Sequence, residues 1–144
     1  MHGSITHMAA FPKYDLAMIS GSHYRGRIYT GASSTVRVAA AANPGIGSTY
    51  CFSGTTSGLK CNAKVTSMSG KLCDASGCTS PLIEHVGSTP QGGDSGGPFY
   101  AKGSVDGVGN AHIRGVVIGI VGSVGYAEPW GRVADRFGAT ILVG

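Results

Sequence analysis

The chain has 144 residues, enough for one compact domain but not comfortably for two, and its 11 Lys and Arg against 7 Asp and Glu give a net charge of +4. Charged residues are only 12% and scattered, which excludes the clustered basic face of a nucleic-acid binder, and no apolar run approaches the roughly 18 residues of a membrane span. The 25 glycines beside 42% apolar residues argue against a helical bundle and for an all-β protein of short strands and tight turns.

In chain order, Met1-His2-Gly3-Ser4-Ile5-Thr6-His7-Met8 lacks the apolar core of a signal peptide, so the chain is expected to be mature or to begin within a longer precursor. Tyr14-Asp15-Leu16-Ala17-Met18-Ile19 predicts a strand ended by Ser20-Gly21-Ser22. Strands are predicted over 27–30 and 34–38, around a turn at Gly31. Asn43-Pro44-Gly45-Ile46-Gly47 reads as a turn, followed by strands over 48–51 and 63–68. His112-Ile113-Arg114 opens a buried strand whose centre is Gly115-Val116-Val117-Ile118-Gly119-Ile120-Val121 and which runs to Ser123-Val124. One helix is predicted, with Pro129 in its first turn, Trp130, Val133, Ala134 and Phe137 on one face, and Gly138 as its stop. Many short strands and a C-terminal helix describe a Greek-key β-barrel with a terminal helix.

The four cysteines fall into two close pairs, Cys51 with Cys61 and Cys73 with Cys78. Neither pair has metal-site spacing, so no metal or cofactor is expected. Two local disulfides are the natural reading, although four cysteines permit three connectivities. Disulfides place the protein in an oxidising compartment, hence secreted.

Chemistry concentrates in Gly92-Gly93-Asp94-Ser95-Gly96-Gly97-Pro98. A serine is a poor nucleophile at its free pKa and needs a base beside it and a cradle for the oxyanion. Gly93 leaves its N–H unobstructed, so that it can aim with the Ser95 N–H at one developing negative charge. Gly96 and Gly97 let the backbone fold behind the serine, and Pro98 fixes the exit.

The run Gly93-Asp94-Ser95-Gly96-Gly97-Pro98 resembles the nucleophile motif of the chymotrypsin-type serine proteases. Cys51-Phe52-Ser53-Gly54-Thr55-Thr56-Ser57-Gly58-Leu59-Lys60-Cys61 is similar to a disulfide-closed loop of their bacterial, streptogrisin-like branch. The strand after Asp15, the helix over 129–137 and the tail over 138–143 also resemble that branch, so the likeness runs from about Asp15 to the end. It implies a double-barrel fold, with residues 1–40 a remnant of the first barrel, 41–128 the second, and 129–144 the helix and tail. It implies Ser95 as nucleophile, Asp15 as the carboxylate that orients the catalytic imidazole, Gly93 and Ser95 as oxyanion hole, and Asp94 as a buried structural acid. Where that branch often pairs this acid with an Arg after the first loop cysteine, this chain has Phe52. Arg114 is then the candidate partner.

The family's general base is a His in a Thr-Ala-Ala/Gly-His-Cys segment. None of His2, His7, His23, His85 and His112 has that context. His7, eight residues before Asp15, is the one alternative base, and His2 reads as terminal sequence. The expectation is that the base lies upstream of this chain and that the chain alone is nearly inactive. Thr89 stands six residues before Ser95, where trypsin-like enzymes carry Asp, so a neutral or small apolar side chain is expected at the cleavage site. His85 or His112 is the alternative, as a reader of an acidic residue. Thr89, Gly92, Ser123, Val124 and Gly125 are the expected substrate-binding positions, with Gly122 as an alternative register for the edge. The partner is a peptide or protein substrate, with no nucleic acid and no membrane. The state is monomeric, with an upstream segment or a pro-region as the further requirement. The competing reading is a non-catalytic, protease-like binding module.

Overall fold

A computed structural model describes residues 4–144; Met1, His2 and Gly3 lie outside the described residues, and the reading of His2 with them. The elements are β1 (Ser4–Ala9), β2 (Leu16–Ser20), β3 (Arg27–Tyr29), β4 (Thr35–Ala41), β5 (Thr49–Gly54), β6 (Gly58–Asp74), β7 (Gly77–Gly87), β8 (Pro98–Val105), β9 (Val108–Val121), β10 (Val124–Pro129) and α1 (Trp130–Phe137). The protein is all-β with one short C-terminal helix.

β1 and β2 form an antiparallel sheet of their own, with His7 opposite Met18 and Ala9 opposite Leu16. The other strands form one sheet in the order β10-β7-β6-β5-β8-β9-β4-β3, and β10 pairs again with β9. That second pairing closes β5 to β10 into a Greek-key barrel, which leaves its strands no free outer edge over the paired length. Outside the barrel, β4 adds to β9 in parallel, Arg37 beside Asn110, and β3 folds back on β4.

The period-2 geometry of a strand decides which side chains fill the barrel. Along β9 the buried positions alternate as Ala111, Ile113, Gly115 and Val117. Gly115 is required there, because a Cβ would run into the Glu128 carbonyl of β10 and the Ile83 side chain. Tyr50, Phe52, Ala63, Val65, Ile83, Phe99, Val117 and Ala127 form the interior cluster. A second cluster of Val38, Cys51, Tyr100, Ala111 and Ile113 lies under β4 and takes in Trp130. Full burial of Phe52 and Phe99 contributes about 2–3 kcal/mol each. Both local disulfides are present, Cys51–Cys61 stapling the β5–β6 hairpin and Cys73–Cys78 the β6–β7 hairpin.

The helix begins one residue later than predicted. Pro129 is extended, with ψ 147°, and ends β10 opposite Gly115, so it caps the helix instead of entering its first turn. Gly138 closes the helix in the left-handed region at φ 58° and donates its N–H to the Ala134 carbonyl.

His85 is fully buried in the barrel against Phe52 and Phe99. Its Nδ1 donates to the Ser88 carbonyl at 3.1 Å, and Nε2 has no partner. Burial lowers its pKa to about 4, against a weaker upward pull from that carbonyl. Because the folded value lies below the unfolded 6.5, the linked stability is complete above pH 6.5 and is lost as the pH falls toward 4. Between pH 7.5 and pH 4 the wild type should lose about 3 kcal/mol more unfolding free energy than His85→Gln, as urea titrations at the two pH values would show. Equal losses in the two proteins would refute the assignment.

Candidate active site

The loop over 92–97 leaves β7 and returns into β8 as a tight turn. Asp94 N–H donates to the Gln91 carbonyl at 3.0 Å and Gly97 N–H to the Asp94 carbonyl at 3.1 Å. The loop is then joined to β9, with Gly96 N–H on the Val117 carbonyl and Val117 N–H on the Gly97 carbonyl. The Gly93 and Ser95 N–H groups, in contrast, have no acceptor among the described residues. Gly93 holds φ at 98°, and a Cβ there would strike the Thr56 hydroxyl, so a larger residue is excluded twice.

Asp94 sets this shape. Its side chain is fully buried and meets no cation among the described residues. Oδ1 accepts the Thr56 and Ser57 N–H groups at 2.9 and 2.8 Å; Oδ2 accepts the Gln91 N–H at 2.9 Å and the Ser57 hydroxyl at 2.5 Å. Burial would raise its carboxyl pKa, but the Ser57 hydroxyl and the Gln91, Ser57 and Thr56 N–H groups outweigh it and hold the pKa low. The expected partner Arg114 turns instead to the Ile113 carbonyl at 3.4 Å. Thr56 adds a further tie, its hydroxyl donating to the Gly92 carbonyl at 2.6 Å. The turn 55–57 between β5 and β6 therefore grips the serine loop from one side. Sequence reasoning passed over Thr56 and Ser57; the Phe at position 52 was the available signal that the acid needed other donors.

Ser95 is exposed at the tip of the loop, its hydroxyl donating to the Ile118 carbonyl at 2.6 Å. Asp15, just before β2, lines the same cavity as Ser95, a space of about 740 Å³. Its walls come from the β1–β2 sheet (Met8, Leu16, Met18), from β9 (Val116, Val117, Ile118) and from α1 (Val133, Phe137). No histidine is among those lining residues. His7 is exposed on β1, His23 meets Ser22, and His85 is inside the barrel.

The expected substrate positions divide. Gly92 opens the serine loop and Thr89 lies just before it in sequence, while Gly125 lies with Pro90 directly over the His85 ring, where a Cβ would collide with both. Ser123 sits in the β9–β10 turn, and Val124 opens β10 opposite Val121. The strand beside Ser95 is instead the stretch 116–118. From 119 to 121, β9 is paired only with β10, so among the described residues no strand covers its other edge. The edge next to Ser95 thus comes earlier in sequence than Ser123. His112 is half-buried on β9, near Gly103 and away from this edge.

Structural comparison finds bacterial serine proteases of chymotrypsin-like fold. Cellulomonas bogoriensis chymotrypsin superposes with a TM-score of 0.83 at 21% identity, over 99% of this chain and 76% of that one. Thermobifida fusca protease A gives 0.79 at 23%, over 94% and 72%. An alpha-lytic protease homologue, N4, gives 0.76 at 22%, over 98% and 73%. No protein-family model matches the chain, and no curated protein matches its sequence. At these identities the likeness shows the fold, which is that of the chymotrypsin-like proteases.

Asp94→Asn would replace the Oδ acceptor facing the Gln91 N–H or the two turn N–H groups with a donor. It should destabilise the protein by about 3 kcal/mol in denaturant unfolding. A loss below about 1 kcal/mol would show that the four hydrogen bonds do not hold the loop.

Proposed function

We propose that the chain is the Ser95-bearing part of a secreted serine endopeptidase. The observation that carries this reading is that Ser95 and Asp15 line one cavity, with the acceptor-free Gly93 and Ser95 N–H groups on the same serine loop. In this reading Ser95 Oγ attacks the scissile carbonyl, and the Gly93 and Ser95 N–H groups receive the oxyanion. Asp15 orients an imidazole entering the cavity, which takes the Ser95 proton and returns it to the leaving amine. The Ser95 hydroxyl must first leave the Ile118 carbonyl, a hydrogen bond worth about 1 kcal/mol net. An extended peptide pairs with the uncovered edge at 119–121 by main-chain hydrogen bonds. Its side chain enters the neutral region bounded by Thr89, Gly92 and Gly125, which favours uncharged residues.

The described residues bring no imidazole to the cavity, and we assign the base to a segment outside them. Residues 1–40 then act as part of a first barrel, 41–128 as the second, and 129–144 as the helix and tail that join them. Working alone, the chain should be slower than a complete enzyme by at least about a thousandfold. The two disulfides favour an oxidising, extracellular setting. A binding module without catalysis is the second reading, favoured by the tie between Ser95 and Ile118 and by the cavity's lack of a histidine.

Free imidazole separates the two. Labelling of Ser95 by a fluorophosphonate should be slow, and millimolar imidazole should accelerate it. Ser95→Ala should abolish the labelling, and Asp15→Asn should remove most of the acceleration. Labelling that is indifferent to imidazole would favour the binding module.

A further inference from the structure

Residues 13–15 belong to no strand, and the β1–β2 sheet they serve shares no ladder with the larger sheet. The two residues just before Asp15, Lys13 and Tyr14, are nevertheless gripped from the far end of the chain by Arg132, which Glu128 in turn holds. Arg132 of α1 donates through Nη2 to the Lys13 carbonyl at 2.6 Å, and its guanidinium lies over the Tyr14 ring, 4.7 Å from the centroid. Its Nε is 3.2 Å from Glu128 Oε2. Glu128 is fully buried at the end of β10, and burial raises the pKa of its carboxyl against the pull of the Arg132 guanidinium. Neither Glu128 oxygen completes a hydrogen bond of good geometry among the described residues. Thr79 of β7 joins from the barrel wall, donating to the same Lys13 carbonyl at 3.1 Å, with Arg132 Nη2 3.3 Å from its hydroxyl.

A buried carboxylate with incomplete partners is costly, and an apolar pair of the same volume would serve packing as well or better. What an apolar pair could not do is hold the Lys13 carbonyl and the Tyr14 ring immediately before Asp15. We propose that Glu128 and Arg132 are positioning residues for Asp15, fixing the segment that carries Asp15 to the barrel that carries Ser95. This rests on the active-site reading above, since Asp15 matters to chemistry only if an imidazole comes between it and Ser95. The two side chains touch neither substrate nor the reacting atoms; they act through the main chain of 13–15.

Two measurements on the whole chain test it separately. Amide hydrogen exchange reads the clamp itself: in Arg132→Met the amides of β2 should lose protection about tenfold or more, while those of β6, β7 and β9 keep theirs. Unchanged β2 protection overturns the clamp, whatever Ser95 does. Imidazole-accelerated labelling reads the consequence. In Glu128→Gln the maximal accelerated rate should fall about tenfold while the half-saturating imidazole concentration moves less than about twofold, and Arg132→Lys should keep part of what Arg132→Met loses. A change in imidazole affinity with no change in maximal rate overturns positioning. If Glu128→Gln loses β6 and β7 protection as well, it has unfolded, and the contrast between the Arg132 variants decides. If the wild type shows no acceleration while β2 protection still depends on Arg132, the active-site reading fails. Positioning then fails with it, and only the clamp stands.

Discussion

The carboxylate of Asp94 is an anion buried without a counter-ion, and the serine loop takes its form from how that anion is satisfied. Three N–H groups and one hydroxyl converge on its two oxygens. Fixed main-chain donors hold a carboxylate in its charged form as effectively as a cation does, and without the side-chain freedom a cation would have to lose. Two of those N–H groups belong to the turn 55–57, so the anion ties the loop 92–97 to the β5–β6 hairpin. The close approach needs bare backbone. A Cβ on Gly54 would collide with the Asp94 side chain, and one on Gly97 with the Ser53 carbonyl. With the loop held in this way, the Gly93 and Ser95 N–H groups find no acceptor among the described residues.

The two sides of the cavity are built by different means. Ser95 stands on a loop hydrogen-bonded into β9 and braced by Asp94, so its surroundings inherit the rigidity of a closed barrel. Asp15 stands before a two-stranded sheet, and an isolated sheet of that size is marginal by itself. Its exposed Ile5, Met8 and Ile19 bury little. What fixes the Asp15 side is the polar grip of the C-terminal helix and Thr79 on 13–15, so the geometry between the two residues is only as firm as that grip.

Much of this was legible in the sequence, and for stated reasons. The glycines of 92–97 are demanded by backbone conformation and close approach, so they advertise the loop directly. The apolar run at 115–121 and the face of Trp130, Val133, Ala134 and Phe137 announced a buried strand and the helix. Strands β7, β8 and β10 gave weaker signals. β7 carries Pro81, Glu84 and His85, residues that a strand accepts only when barrel closure supplies its partners and Phe52 and Phe99 cover the imidazole. The donors to Asp94 were hidden because three of the four are main-chain N–H groups, whose direction depends on local turns, not on side-chain type. The edge beside Ser95 was expected at 123–125, since residue types alone do not reveal that β9 loses its β8 partner after Val116.

The grip on residues 13–15 also orders assembly in time. Arg132 and Lys13 are 119 residues apart in sequence, and Thr79 and Lys13 are 66 apart. In synthesis Asp15 precedes every residue that grips its segment, so it cannot be fixed until α1 exists. Loop-closure entropy works in the same direction, because contacts so distant gain nothing until the barrel between them has formed. The barrel and its serine loop can therefore be complete while the opposite wall of the cavity is still loose. Of the cavity's two walls, the one made earlier is the later to be set in place.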